Sequence, residues 1–308
     1  MRPDIVAIIA ACAAFVMQAS VFSPKLAAMT RIAPAQIVDA GAGPPVQLAT
    51  HTSQPHVVTP PMTSPHSGQP RLAVIRARGE LLVCIWPEYY AISWRNPRNG
   101  EMEGLDAEMA QALADRLGVR LQFVETHFVE FLDRLEQGDC DIAMMGVGIS
   151  PERSERVAFS KPYLGSPIFA VTTRDSPRVA SWADMDRPGH VIAVAAGTIQ
   201  VGQMRGALRA AELLVVSPPA SREAEVLAGR ADAFVSDFAY TRGMQQMHGW
   251  AHVMESPDRF GDTLFAYAVA RYETAWLAEV DAFLAAAKAD GLLARLAERY
   301  GLTSGLVR

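Results

Sequence analysis

The sequence is poor in cysteine and shows neither a metal-binding cluster nor a basic stripe. It has three cysteines among 308 residues, at positions 12, 84 and 140. Its seven histidines lack the spacing to cysteine or carboxylate that zinc sites use. A formal net charge of -5 gives no general attraction to phosphate backbones. We therefore expect no metal, no cofactor and no nucleic-acid partner, and at most one disulfide in an exported form.

What is present indicates a globular protein with room for more than one core. Half of the residues are apolar and a fifth are charged. At this length the usual domain size favours two compact units over one.

The first 22 residues have the layout of a secretory signal. Arg2 precedes an apolar run at 5–17, and small residues follow around Ala19. We expect export to the periplasm with this segment cleaved. Two alternatives stay open: a retained membrane anchor, since Val21 and Phe22 extend the apolar run, and a lipoprotein acylated on Cys12.

Residues 23–70 predict a disordered linker. Between positions 43 and 70 the sequence carries seven prolines among threonine, serine, histidine and glutamine. Such a segment cannot bury enough apolar area to offset the entropy of ordering it. The folded part is expected to begin near Arg71.

From there apolar strand patterns alternate with amphipathic helix patterns. This alternation predicts an α/β fold whose sheets are of parallel type and flanked by helices. The predicted strands are 81–85, 142–145, 168–173, 191–195, 213–216, 233–236 and 263–270, and the helices include 106–117, 128–135, 223–227 and one that starts near Glu273.

In open parallel sheets, ligands collect beyond the carboxyl ends of the strands. The positions just after the predicted strands are therefore candidate binding positions. They are 86–90, 146–153, 197–200 and Asp237.

Several segments, in their order and spacing, resemble the bacterial extracellular solute-binding proteins of family 3, a type II periplasmic binding protein family. They are GELLV (79–83), GLDAEMAQALA (104–114), GDCDIA (138–143), ISPERSERVAFS (149–160), VAAGT (194–198) and GRADA (229–233). The resemblance implies two lobes joined by two crossover strands: lobe 1 at 71–163 and 263–308, lobe 2 at 164–262. It also implies a monomer that binds an amino-acid-like ligand in the interlobe cleft and delivers it to the permease of an ABC transporter.

The resemblance assigns Arg153 to the ligand's α-carboxylate, a role that suits the bidentate geometry of arginine. Ser150 and Pro151 before it predict the start of a helix. A surface arginine paired with Glu152 or Glu155 is the alternative.

Gly197 and Thr198 follow a strand and open a helix. Their backbone N–H groups and the Thr198 hydroxyl can hold an anion at the helix N-terminus. An ordinary strand-to-helix turn, with Thr198 as the cap, is the alternative.

Asp237 matches the position that pairs with the ligand's ammonium in this family, although a role as N-cap of the next helix fits the same residue. Tyr89 and Phe128 match the aromatic residues that sandwich the ligand side chain. Phe128 also fits an apolar helix face.

Three further positions of the predicted site depart from the family pattern. Trp86 replaces an acid found in several members, which favours an apolar or aromatic ligand side chain. Gly146 and Gly148 replace small residues that contact the ammonium, and Gly148 cannot supply a hydroxyl.

Two other function classes remain as alternatives. One is a periplasmic cyclohexadienyl or prephenate-type dehydratase on the same fold; we expect no enzyme, because no acid/base pair accompanies Asp237 in the sequence. The other is a tethered sensory domain that reports to a separate sensor protein.

Cys84 and Cys140 are expected to stay reduced. Cys84 lies toward the carboxyl end of its strand, whereas Cys140 precedes strand 142–145, so a parallel sheet would place them at opposite edges, too far apart for a disulfide.

Overall fold

The computed structural model describes residues 70–257 and 260–307. The predicted signal segment (1–22) and all but the last residue of the predicted linker (23–70) lie outside these residues. None of the described helices combines the length and apolar character needed to cross a membrane.

The fold alternates strands and helices, as the hydrophobic pattern predicts. The described α-helices are Arg71–Arg78 (α1), Leu105–Leu117 (α2), Phe131–Gln137 (α3), Pro151–Ser154 (α4), Ile199–Ala207 (α5), Arg222–Leu227 (α6), Phe238–Met247 (α7), Thr274–Ala289 (α8) and Leu292–Tyr300 (α9). The strands are Glu80–Ile85 (β1), Glu88–Tyr89 (β2), Ser93–Arg95 (β3), Met102–Glu103 (β4), Arg120–Glu125 (β5), Ile142–Ala143 (β6), Val157–Phe159 (β7), Leu164–Ser166 (β8), Ile168–Thr173 (β9), Val191–Ala195 (β10), Glu212–Val216 (β11), Ala233–Asp237 (β12), Ala251–Glu255 (β13), Thr263–Phe265 (β14) and Ala268–Ala270 (β15).

Two five-stranded sheets define two lobes. The sheet of lobe 1 has the order β5-β1-β6-β15-β7, and the sheet of lobe 2 has the order β11-β10-β12-β9-β13. Strands β8 and β14 pair with each other as a separate antiparallel ribbon and carry the chain between the lobes. The predicted two-lobed α/β fold with two crossover strands is confirmed. The ribbon strands begin at Leu164 and Thr263, the positions at which the sequence predicts the boundaries between the lobes. The division of the chain into separate domains at these boundaries stays a prediction.

Each sheet is mixed rather than wholly parallel. Three strands run parallel in each, β5-β1-β6 and β11-β10-β12, and the neighbouring β15 or β9 runs antiparallel to them. Parallel neighbours need a long crossover connection, usually a helix. Strands β9 and β15 instead follow the ribbon directly, which leaves them free to enter their sheets in the opposite direction.

Each lobe has its own apolar core. In lobe 1, α2 buries Leu105, Met109 and Leu113 at helical spacing, and α8 buries Trp276. The Trp276 indole N–H donates to the Asp141 carbonyl at 2.9 Å, so its polar edge is satisfied inside the core. The core of lobe 2 forms around Ile168, Ile192 and Val235, among others.

Some predicted elements are shorter than the apolar runs that suggested them. Phe128 lies in the turn before α3 rather than on that helix, and the predicted strand 142–145 is reduced to β6. The predicted strand 263–270 is divided into β14 and β15. Apolar runs mark buried chain, and buried turns share that composition with buried strands.

The expectation that Cys84 and Cys140 stay reduced is wrong. They form a disulfide with their α-carbons 5.6 Å apart, inside the lobe 1 core. Ala143 pairs with Cys84, and the Asp141 N–H donates to the Leu82 carbonyl at 2.8 Å, so the chain just before β6 already lies beside β1. The turn after α3 carries Cys140 back beside β1.

Candidate functional site

A cavity between the lobes gathers nearly all the residues predicted for the ligand site. Its volume is about 20 Å³, room for roughly one water molecule, so an amino acid enters only if the lobes or the lining side chains move. Its lining residues are Trp86, Tyr89, Phe128, Gly146, Gly148, Arg153, Thr198, Ile199, Gln200, Arg222, Ser236, Asp237 and Phe265. Gly197 is the one predicted site residue that does not line it.

Arg153 is buried and reaches across the cleft. Ser150 caps α4 by accepting from the Arg153 backbone N–H at 3.3 Å, and Pro151 takes the first helical position. The guanidinium donates to the Gly148 carbonyl at 2.7 Å and to the Gly197 carbonyl of lobe 2 at 2.8 Å. Burial lowers the pKa of Arg153 to about 10, so the side chain keeps its charge at neutral pH.

The surroundings of Arg153 differ from those of a surface arginine. Its guanidinium lies 5.7 Å from the Phe128 ring centre and 5.3 Å from that of Phe131. No carboxylate in the described part of the chain forms an ion pair with it. The alternative of a surface pair with Glu152 or Glu155 is therefore not the arrangement found.

Asp237, on the other wall, is the N-cap of α7 and lines the cavity as well. It is 5% exposed, and its carboxylate accepts from the Tyr240 backbone N–H at 3.1 Å and from the Ser236 hydroxyl at 3.3 Å. Tyr89 from lobe 1 lies beside it: burial, followed by the charge of Asp237 and a hydrogen bond to it, holds the pKa of Tyr89 well above its usual range. Capping a helix and facing the cleft are thus compatible at one residue.

Gly197 allows the lobes to approach closely. Its φ is +74°, and a Cβ there would lie 2.5 Å from the Phe128 carbonyl group. Only glycine fits such a contact without backbone movement. The Thr198 hydroxyl donates to the Ala195 carbonyl at 2.7 Å and makes no cap hydrogen bond to α5, so it must rotate before it can donate to a ligand.

Aromatic rings close one end of the cavity. Trp86 stacks on Tyr240 of lobe 2 with ring centres 5.8 Å apart and planes 2° apart. Phe128 meets the edge of Trp86 at 5.6 Å and that of Tyr89 at 6.2 Å. Such contacts suit an apolar or planar group more than a cation that needs a carboxylate.

A buried carboxylate supports the floor of the cavity. The Asp106 carboxylate accepts from the Gly146 backbone N–H at 2.7 Å, from the Tyr163 hydroxyl at 2.7 Å and from the Tyr267 hydroxyl at 3.3 Å. Burial raises the pKa of Asp106 to about 7, against the lowering effect of these hydrogen bonds. Tyr163 immediately precedes β8 and Tyr267 lies between β14 and β15, so one carboxylate joins both interlobe connections to the ligand-site loop.

The sequence reasoning missed some lining residues. Ile199 and Gln200 fall within the candidate segment 197–200, but Arg222, Ser236 and Phe265 were not predicted. Arg222 follows β11 after a short loop, so the strand-end rule, applied to that strand too, would have found it. Glu223, which accepts from the Tyr240 hydroxyl at 3.0 Å, is a carboxylate near Asp237 that sequence proximity did not reveal.

No group of three or more His, Cys, Asp or Glu side chains suited to a metal ion occurs within residues 70–257 and 260–307. The charged side chains that line the cavity are Arg153, Arg222 and Asp237. Together they can bind a small molecule that carries charges of both signs.

Comparison with known proteins relates the chain to solute receptors. The model of the bacterial extracellular solute-binding proteins, family 3, matches residues 81–303. Cyclohexadienyl dehydratase of Pseudomonas aeruginosa is 29% identical over 75% of the chain and 85% of its own length. The ABC transporter glutamine-binding protein GlnH of Bacillus subtilis is 26% identical over 74% of the chain and 83% of its own.

Among solved structures, the ancestral amino acid-binding protein AncCDT-1, described as a precursor of cyclohexadienyl dehydratase, superposes with a TM-score of 0.68. It is 30% identical, and the match covers 74% of this chain and 98% of AncCDT-1.

Proposed function

The chain belongs to family 3 of the bacterial extracellular solute-binding proteins, and from that premise we propose that it is the periplasmic receptor of an ABC-type importer for an amino acid or related small carboxylate. The cavity is supported as the binding site by one observation above the others. Arg153 of lobe 1 and Asp237 of lobe 2 line the same buried space. A zwitterion placed there pairs with both, whereas either charge left buried alone is costly.

In this proposal the ligand carboxylate takes the place of the Gly197 carbonyl on the Arg153 guanidinium. Its ammonium approaches Asp237, and its side chain extends toward Trp86, Tyr89 and Phe128. Gly146 and Gly148 provide backbone surface, and Thr198 provides backbone N–H and hydroxyl groups. Binding then favours the closed arrangement of the lobes because only the ligand supplies partners to both walls.

The partner of the closed form is the permease of the importer, and the protein acts as an exported monomer. The segment 1–22 provides the export signal in this proposal, and 23–70 is the linker before the folded part. A sensor protein in place of the permease would use the same closure.

A dehydratase is the second candidate, favoured by the likeness to cyclohexadienyl dehydratase. The geometry supports binding without conversion. Acid/base chemistry needs a positioned group that is free to exchange a proton, whereas Asp237 is held by the Tyr240 N–H and the Ser236 hydroxyl. Glu223 is held by Arg222 and by the Tyr240 hydroxyl.

A thermal-shift screen of amino acids and related carboxylates tests the receptor proposal. A ligand at about 100 times its dissociation constant adds about 2.7 kcal/mol to stability. Arg153→Ala should abolish that shift, whereas Arg156→Ala, which removes an exposed arginine paired with Asp133 and Glu136, should keep it. An unchanged shift in Arg153→Ala contradicts the site, and recovery of an altered product after incubation with prephenate-like acids favours the enzyme.

A further inference from the structure

A second buried guanidinium lines the cavity beside the two charges already described. Arg222 is the first residue of α6, directly after the cap Ser221, and is 4% exposed. Its side chain donates to the Val235 carbonyl at 3.0 Å and to Glu223 at 3.1 Å, and it lies over the Tyr240 ring at 4.3 Å. It therefore faces the cavity from the wall of lobe 2.

This position is unfavourable for a cation that only supports the fold. A positive charge in the first turn of a helix opposes the helix dipole, and burial of a guanidinium is costly unless partners compensate. An arginine has five N–H donors, and the contacts of Arg222 with Glu223, Val235 and Tyr240 leave some of them for a ligand. Gln200, which is 5% exposed and lines the same cavity, adds an amide that can donate.

The cavity and the neighbouring outer groove, near the stack of Trp86 on Tyr240, differ in their charged residues. The inner cavity is lined by Arg153, Arg222 and Asp237, so guanidinium groups outnumber carboxylates there. Glu223 lines a different space, an outer groove of about 450 Å³ that is also lined by Glu88 and by the ion pair of Arg95 and Glu125. The carboxylate that pairs with Arg222 thus faces the outer groove and not the ligand cavity.

A zwitterion with a neutral side chain matches Arg153 and Asp237 and gives Arg222 no acidic partner inside the cavity, since Glu223 pairs with Arg222 from outside it. A ligand with a second acidic group matches all three charges. A ligand with a cationic side chain would bring like charges together in a space of low dielectric, which disfavours it.

We infer that the cavity selects a ligand with a second acidic group, an acidic amino acid or a similar small dicarboxylate, and that Arg222 is the residue that determines this preference. The inference rests on the proposed receptor function and names its ligand class. Arg153 binds the α-carboxylate, Asp237 binds the ammonium where there is one, and Arg222 with Gln200 binds the second acid.

Calorimetry with pairs of ligands of equal shape tests this preference. The probes are L-glutamate against L-glutamine, L-aspartate against L-asparagine, and L-arginine as the cationic ligand. The wild-type protein should bind at least one acid about tenfold or more tighter than its amide, and arginine more weakly than either. Tighter binding of arginine, or of both amides over their acids, overturns the inference.

Arg222→Gln removes the charge and keeps an N–H donor at the position of the Arg222 Nε, which donates to Glu223. It should lower the ratio of acid to amide affinity by about tenfold or more while amide binding changes by less than about threefold. Glu223→Gln, which neutralises the neighbour facing the outer groove, is the matched control and should retain the preference. An unchanged ratio in Arg222→Gln contradicts the assignment.

The outcomes separate this inference from the receptor proposal. If amino acids bind through Arg153 without preference for an acid, the receptor function stands and the assignment of Arg222 fails. If no amino acid and no dicarboxylate binds, the receptor function itself fails. Should Arg222→Gln not fold, as judged by circular dichroism, the ranking of ligands by the wild-type protein still decides.

Discussion

The ring of Tyr90, in lobe 1, lies directly against the backbone of Gly243, in the middle of α7 of lobe 2. A Cβ at position 243 would come within 2.6 Å of Tyr90 Cβ and Cγ. The Tyr90 hydroxyl donates to the Gln246 side-chain carbonyl one turn further along the helix. Glycine is normally disfavoured inside a helix. Here the absence of a side chain leaves the space that Tyr90 occupies when the lobes are together.

Gly243→Ala should therefore weaken ligand binding without destabilising the fold. The added methyl group clashes with Tyr90 in the closed arrangement, which lowers the population able to hold ligand and raises the apparent dissociation constant by about tenfold or more. Alanine should also stabilise the helix itself by about 1 kcal/mol. Calorimetry for affinity and thermal unfolding for stability measure the two effects separately.

Two controls make this test specific. A Cβ at Gly202 in α5 would have no atom within 4 Å. Gly202→Ala should therefore stabilise its helix and leave the affinity for ligand unchanged. In a Tyr90→Gly background, Gly243→Ala should have little further effect on binding, because both the Cβ and the ring of Tyr90 that it would clash with are gone. An equal loss of affinity in both backgrounds would mean that Gly243 acts through something other than Tyr90.

Reduction of the Cys84–Cys140 disulfide should lower stability markedly. The bond closes a loop with a sequence separation of 56, and removing that constraint from the unfolded chain costs about 4 kcal/mol in the loop-entropy description. Guanidinium unfolding with and without dithiothreitol measures the difference. A Cys84→Ala/Cys140→Ala variant should show no response to the reductant.

Thiol labelling provides an independent check on this disulfide. Under denaturing, non-reducing conditions neither Cys84 nor Cys140 should react, and both should react after reduction. Labelling of both residues without reductant would show that the cysteines are reduced, as the sequence predicted.

Most of the fold was predictable, because it follows from the alternation of apolar strand patterns with amphipathic helix patterns. Strands such as β1 and β10 and the helix α2 are found within a residue or so of their predicted bounds. The disulfide was not predictable from strand order, because it depends on the position of the chain before β6, where the Asp141 N–H donates to the Leu82 carbonyl of β1.

Most of the predicted site residues follow a predicted strand end, and the topology brings those ends together; Phe128 was assigned by the family resemblance alone. What the sequence could not indicate were contacts made from the far sides of the cleft. Glu223 meets Tyr240 from a separate helix, and Asp106 reaches the cavity floor from the start of α2. Such contacts depend on tertiary packing and leave no local pattern.

Asp237→Asn should separate the two roles of that residue. Asparagine caps a helix as well as aspartate does, so stability should change little. The loss of charge should weaken binding of an α-amino acid by about 2 to 5 kcal/mol while sparing a carboxylate analogue without the amine. Calorimetry with the two ligands measures this difference. If Asp237→Asn binds the amino acid as tightly as the wild-type protein does, Asp237 is only a helix cap. A non-amino organic acid is then the favoured ligand.

The buried Asp106 should make stability fall as pH rises toward neutrality. Burial raises its pKa from 3.8 to about 7 in the folded protein, so between these values the folded state holds a proton that the unfolded state has released. The stabilisation is complete below the unfolded pKa and is lost as pH rises through the folded pKa. The neighbouring Tyr163 and Tyr267 hydroxyls do not compete, since burial holds the pKa of each well above its usual range.

Asp106→Asn should remove this part of the pH dependence, since the amide does not titrate. Between about pH 5 and about pH 8 the wild-type protein should lose about 2 to 3 kcal/mol relative to Asp106→Asn. Asp115→Asn is the control: Asp115 lies on the exposed face of the same helix, bonded to Gln111, and its variant should follow the wild-type profile. Denaturant unfolding at matched pH values supplies the comparison. Parallel curves for Asp106→Asn and wild type would show that Asp106 does not carry the proton, whereas a fall of the wild-type curve relative to that of Asp106→Asn as pH rises would assign it to this carboxylate.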